Sequence, residues 1–225
     1  YLHQFKQKRH PAEFFMILGS GDGKKNTIGQ YSSSALFRRN GNYFVIDPPA
    51  EILSILGRQG IDPLRVNVIL THLHGDHDPG VARLAAWFED IQADLPHEQR
   101  QALPVLTHPV TLHNYFYRHG SRFQPGIALH PFPTFIETGW TDHMNLTFSV
   151  AVRFRSGRQV LWTGDRSGKD IPDNAPVPQH IREQINFSHL RKSPDVVIAD
   201  VGGGIHPSIA EVDQKFSSAR RVYVH

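Results

Sequence analysis

The sequence predicts an α/β fold in which strands and helices alternate and the chemistry gathers at strand ends. Three observations predict it. Short apolar runs are bounded by Gly, Asn and Pro; segments of helical period lie between them; and a His/Asp-rich run, Thr71 to Gly80, directly follows the apolar stretch Val66 to Leu70. With 225 residues, 39% apolar and 20% charged, the chain suits one soluble domain, or a two-layer domain with insertions.

Residues 14 to 18, 34 to 39 and 43 to 47 read as short strands, the last two joined by the turn Asn40-Gly41-Asn42. Glu51 to Gln59 reads as a helix with Ile52, Ile55 and Leu56 on one face and Gly60 as its stop. Val66 to Thr71 is a buried strand. Gly80 to Glu89 puts Val81, Leu84, Ala85 and Phe88 on one helical face. Residues 90 to 125 are less regular and carry Pro96, Pro104, Pro109 and Pro125. Within them, Tyr115 to His119 and Arg122-Phe123 mix aromatic and basic groups, which suits base stacking or a helix packed on the core. Leu146 to Phe154 alternates as a strand, Gly157 turns it, and Val160 to Thr163 returns toward Gly164-Asp165. Residues 170 to 180 form a Pro-rich loop. Val196 to Ala199 and Val222 to Val224 are the last strands, with a helix from Ser208 to Ala219 between them. There is no internal repeat.

Composition excludes several classes. No apolar run approaches the roughly 20 residues of a membrane span. The basic, polar start shows no secretory signal. Zero cysteines exclude disulfides and thiolate ligands, which is compatible with a cytoplasmic protein. A net charge of +3, with 15 histidines besides, leans toward small anionic partners and is too small to argue for duplex nucleic acid. A homodimer is left open. The lack of an initial Met and the terminal His225 suggest a fragment of a longer chain.

The run Thr71-His72-Leu73-His74-Gly75-Asp76-His77-Asp78 is the most informative stretch. Imidazole and carboxylate suit zinc or a similar divalent ion. His72 and His74, two apart at a strand end, point to the same side toward one metal. Asp76 and His77, further on, reach toward a second. Two-metal sites make hydroxide at neutral pH and hold both oxygens of a displacement. The bland alternative is a solvated His-rich loop. Asp165, after an apolar strand and a glycine, is placed to bridge two cations.

This His-x-His-x-Asp-His pattern after a strand resembles the metallo-β-lactamase superfamily. Phe15 to Gly21, Tyr31 to Phe37 and Tyr43 to Asp47 look like the opening of its ribonuclease Z-like phosphodiesterase branch. The resemblance implies an αββα sandwich of two mixed sheets between helices, over residues 1 to 225 as one domain. It implies that Thr163-Gly164-Asp165-Arg166 carries the bridging aspartate, and that Thr141-Asp142-His143 carries a third His ligand. His108, His113 and His130 compete for that role on spacing. His225 resembles the last ligand, although Val224 stands where relatives have Thr. Gly202-Gly203-Gly204-Ile205-His206 resembles the loop of a catalytic His; the alternative is a surface His capping a helix. Asp200 could orient His206. Asp47 is followed by Pro48-Pro49 where many relatives have Cys-Gly, which rebuilds that turn.

The expectation is therefore a binuclear metal-dependent hydrolase of phosphodiesters. His72, His74 and His143 hold one ion, Asp76, His77 and His225 the other, and Asp165 bridges. The ions are two Zn2+, with Mn2+ or Fe2+ as substitutes. A metal-bridged hydroxide attacks phosphorus, and Asp76 and His206 are the candidate catalytic residues. Ribonuclease Z proper carries a long arm between the third His and the bridging Asp. About twenty residues separate His143 from Asp165, too few for it. A small or cyclic nucleotide-type substrate follows. The rivals are a lactone or thioester hydrolase of the same superfamily and a non-catalytic metal-binding regulatory domain.

Overall fold

The structure, a computed structural model, describes residues 9–19, 33–75, 77–119, 126–142, 147–166, 174, 176–201 and 206–224. The chain forms two compact units, Tyr1–Pro131 and Phe132–His225.

The first unit is a six-stranded mixed sheet. Strands β1 (Phe14–Gly19), β2 (Ser34–Arg39) and β3 (Asn42–Ile46) pair antiparallel in sequence order. Strands β4 (Val66–Ile69), β5 (Leu103–Leu106) and β6 (Ile127–Leu129) continue the sheet in parallel from β3. The β2–β3 turn follows from its residues: Asn40 and Gly41 sit at φ 53° and 83°, as a two-residue hairpin turn with a strand-matching twist requires. Each parallel step needs a crossover, and three helices supply them: α1 (Ile52–Gln59), α2 (Pro79–Ile91) and α3 (Pro109–His119).

Helix α1 buries Ile52, Ile55 and Leu56 and ends on Gly60 at φ 67°, where Ile61 N–H bonds back to Leu56 O. Helix α2 buries Gly80, Val81, Leu84, Ala85 and Phe88, the face that the sequence predicts. Gly80 has a further reason. A Cβ there would lie 2.3 Å from Pro48 O and 2.5 Å from Pro49 O, so only glycine lets the rebuilt turn after Asp47 pack on the helix start.

The less regular stretch from 90 to 125 proves more ordered than expected, since it holds β5 and α3. Pro104 lies inside β5 and Pro109 opens α3, where a missing N–H costs nothing. The aromatic-basic cluster of that helix divides. Tyr115 is fully buried in the core, whereas Tyr117 is 89% exposed. Among the described residues the Tyr115 hydroxyl has no hydrogen-bond partner, and burial pushes its pKa up. Tyr115→Phe should therefore stabilise the protein by about 1 kcal/mol, since it removes an unsatisfied polar atom without altering the packing. Urea unfolding measures this; a loss of similar size would show that the hydroxyl is satisfied.

The second unit repeats the plan. Strands β7 (Ile136–Trp140), β8 (Phe148–Arg153) and β9 (Gln159–Trp162) pair antiparallel, and β10 (Val196–Asp200) and β11 (Arg220–Val224) continue in parallel. Helices α4 (Gln179–Ile185) and α5 (Ile209–Lys215) belong to it. Strand β7 and helix α4 were not expected from the sequence. The first, Ile136 to Trp140, has only five residues with Thr138 and Gly139 breaking any apolar alternation, and the second has only seven, too few for a clear period. The core of this unit gathers Ala151, Leu161, Phe187, Val197, Ala199, Val212 and Phe216. Ser208 and Glu211 form a reciprocal capping box at the start of α5.

Candidate metal centre

In both units the polar residues follow the carboxyl ends of the strands where antiparallel pairing gives way to parallel. In the first unit, Asp47 follows β3 and Thr71 to Asp78 follow β4. Ligand sites in α/β sheets favour such ends because the strand backbone is satisfied there while the loops are free to supply side chains.

Asp47 is fully buried at φ 48°, a left-handed conformation that Asp tolerates better than most residues. Its Oδ1 accepts Thr71 N–H at 2.8 Å, and its Oδ2 accepts the Thr71 hydroxyl at 2.6 Å. The same Oδ2 lies 3.0 Å from His77 Nδ1. Those contacts assign the tautomers. Thr71 spends its only hydroxyl proton on Asp47, so at 3.0 Å from His72 Nδ1 it accepts, and His72 carries its proton on Nδ1. His77 likewise donates from Nδ1 to the carboxylate. In both rings Nε2 is left as the lone-pair nitrogen, the form in which imidazole binds a metal.

The rings converge. His72 and His77 have centroids 4.2 Å apart, His72 and His74 4.6 Å, and His72 Nε2 faces His74 Nδ1 at 3.0 Å. The candidate ligand atoms of Asp47, His72 and His77 all lie within 4.8 Å of one another. His72 and His77 are buried, so the nitrogens are preset and largely dehydrated. The imidazole nitrogens, with Asp47 bonded to Thr71 and His77 beside them, fit a divalent ion. Sequence reasoning singled out His72, His74 and His77 but not Asp47, treated only as the strand end before Pro48-Pro49. Asp76 lies outside the described residues.

In the second unit, Asp165 is buried after β9 and the left-handed Gly164, Asp200 is buried at the end of β10, and His206 is half-buried. Their ligand atoms also lie within 4.8 Å of one another. The Thr141 hydroxyl donates to Asp165 O at 2.7 Å, and Arg166 pairs with Asp142 at 3.9 Å, so the turn before His143 is fastened to the Asp165 turn. His143 and His225 themselves lie outside the described residues. The helix-capping role considered for His206 belongs to Ser208, whose Oγ accepts Glu211 N–H.

Two mixed sheets with crossover helices, and His/Asp clusters at their strand ends, define a metallo-β-lactamase fold. Solved structures agree. The metallo-β-lactamase fold protein YhfI from Bacillus subtilis superimposes with a TM-score of 0.68 at 17% identity, covering 94% of this chain and 85% of that one. The short form of human tRNase Z gives 0.63 at 16% identity, covering 94% and 91%. A diphosphatase from the PhnP family gives 0.61 at 15% identity, covering 94% and 85%. The sequence model of the anti-Pycsar protein Apyc1 family matches residues 14–177, and the chain belongs to that family. No curated protein matches it significantly in sequence. The fold and the donor set support a metal-dependent hydrolase. Among the described residues no helix is long and apolar enough to cross a membrane.

Proposed function

We propose that this chain is a binuclear metal-dependent phosphodiesterase whose substrate is a cyclic nucleotide or a similarly small cyclic phosphodiester. The observation that carries the reading is the buried Asp47–Thr71–His72 and Asp47–His77 arrangement, which holds imidazole nitrogens ready for a cation. The family name, anti-Pycsar, fits cyclic nucleotide degradation and supports the substrate class.

In this reading residues 1 to 225 act as one metallo-β-lactamase-like domain. His72, His74 and His143 hold one ion; Asp76, His77 and His225 hold the other; Asp165 serves both. Two divalent ions, zinc with manganese or iron as substitutes, supply Lewis acidity for attack by water and offset the charge that builds on the phosphoryl oxygens. The protein's own part is orientation and proton movement. Asp47 keeps His72 and His77 in their metal-binding tautomers. Asp76 shares in catalysis as a carboxylate beside the reacting centre. His206 gives a proton to the leaving alkoxide, with Asp200 orienting its ring.

Elemental analysis of protein purified without chelator should find two divalent ions per chain. A stoichiometry below one would overturn the binuclear reading. Alongside it, 3′,5′-cyclic nucleotides, bis(p-nitrophenyl) phosphate, an acyl lactone and a glutathione thioester should be assayed together. Opening of the cyclic nucleotide to a monophosphate is the expected outcome. Turnover of the lactone or thioester alone would replace the phosphodiesterase by the carbonyl hydrolase of the same fold, and no turnover of any substrate would favour a metal-binding regulatory domain.

A further inference from the structure

Asp78 stands where a helix normally takes a cap. It precedes Pro79 at the start of α2, and an Asp there ordinarily turns its carboxylate onto its own helix, for about 1 kcal/mol. Asp78 makes no such bond. Its carboxylate, almost wholly buried, is turned sideways to the end of α3: Oδ2 lies 3.0 Å from His119 Nε2 and 3.3 Å from Arg118 Nη1. The Arg118 nitrogen has a second acceptor, the backbone carbonyl of Leu73. His119 is held in turn by the ring of the buried Tyr115, 4.5 Å away.

The two acceptors are not arbitrary. Leu73 lies between His72 and His74, and Asp78 is the residue after His77, so one guanidinium grips the ligand loop at both ends. The loop is also drawn in by His77 N–H, which bonds to His74 O at 3.0 Å. A guanidinium suits this task because one of its planar nitrogens carries two N–H donors, here one for each acceptor, where an ammonium on a flexible stem would surrender more freedom. The end of α3 also carries the helix's partial negative charge, which favours the Arg118 cation there before any contact is counted.

We propose that Arg118 and His119 are positioning residues for the metal-binding loop, holding it at the Leu73 carbonyl and at the Asp78 carboxylate so that the imidazoles of His72, His74 and His77 are set before a divalent ion arrives. The inference rests on the proposed metal reading and adds to it the residues that hold the loop in shape. A plain staple between α2 and α3 would use the same contacts, but it would affect folding rather than metal affinity.

The full chain, stripped of metal, separates these. Zinc affinity is measured by competition with a chromophoric chelator, the coordination by the visible spectrum of the cobalt form, and the fold by the thermal midpoint of the metal-free protein. Arg118→Met keeps the length of the side chain and removes its donors. It should weaken zinc binding by about 10–100-fold, the range for residues that orient metal ligands, and alter the cobalt spectrum, with the metal-free midpoint little changed. Arg118→Lys should fall between, and His119→Gln should bind zinc more tightly than His119→Ala because its amide can still donate to Asp78. Wild-type affinity in Arg118→Met and His119→Ala alike would overturn the proposal, and so would lowered metal-free midpoints with unchanged affinity. Failure of the wild-type chain to bind zinc, cobalt or manganese would instead overturn the metal reading beneath it.

Discussion

Asp47→Ala should be among the most damaging single changes in this chain, lowering stability by roughly 3–5 kcal/mol. The carboxylate is fully buried and accepts from the Thr71 amide, the Thr71 hydroxyl and His77 Nδ1. Removing it leaves each of these donors buried without its acceptor, and a stranded donor costs about 1–3 kcal/mol. Alanine also suits the left-handed backbone at φ 48° less well than aspartate. Metal affinity should fall too, because nothing then selects the Nδ1-protonated tautomer of His72 and His77. Asp47→Asn separates the two effects. Asparagine tolerates the backbone and keeps one oxygen, so it should fold better than alanine while still weakening metal binding by about 10–100-fold. Denaturant unfolding and metal titration of both variants check this. A stability loss under about 1 kcal/mol for alanine would mean that Asp47 is not the organiser of the loop.

His206→Ala should lower the turnover number on a cyclic nucleotide by about 10²–10⁴-fold, the range for loss of a general acid. A nucleoside alkoxide is a poor leaving group and needs the proton. A p-nitrophenolate leaves without one, so bis(p-nitrophenyl) phosphate should suffer far less. Metal content should be unchanged. The second-unit cluster makes that last measurement decisive, because Asp165, Asp200 and His206 bring their ligand atoms within 4.8 Å of one another. If His206→Ala released a metal ion, His206 would be a ligand and not a proton donor. If both substrates lost activity equally, its role would not be protonation of the leaving group. No loss on either would remove His206 from the mechanism.

In the proposed reading, the site divides labour between side chains that would touch a cation and side chains that would aim them. Asp47, Thr71, Arg118 and His119 would belong to the second group. Each acts through an imidazole or through the loop that carries it. Substitutions in that group should leave the ligand list intact and still change how tightly and in what geometry a metal is held.

Much of the architecture is written locally. The Asn40-Gly41 turn, the Gly60 stop, the buried face of α2 and the His/Asp run after β4 each depend on residues within one or two turns of each other, so they can be read in order along the chain. Helix α3 was obscured by the prolines around it, of which Pro109 turns out to sit at its first position, where a helix tolerates it. Strand β6, with three residues, carries too little pattern to declare itself and exists because β5 offers it a pairing edge. At the site, His72, His74 and His77 were legible because three imidazoles in one short run are rare in any other context. Asp47 was not, because an aspartate at a strand end looks the same whether it faces water or three donors. Its partners come from residues 24 and 30 positions away. Asp78 was hidden in the same manner: its sequence context says helix cap, and the residues that claim its carboxylate lie 40 and 41 positions later. The sequence by itself thus determined the turns, the helix faces and the place of the His/Asp run after β4, all set by residue type, backbone preference and side-chain periodicity over a few residues. Only the tertiary structure decided which buried carboxylates hold that run in place, because burial and hydrogen bonding between distant segments exist only once the sheet has brought them together.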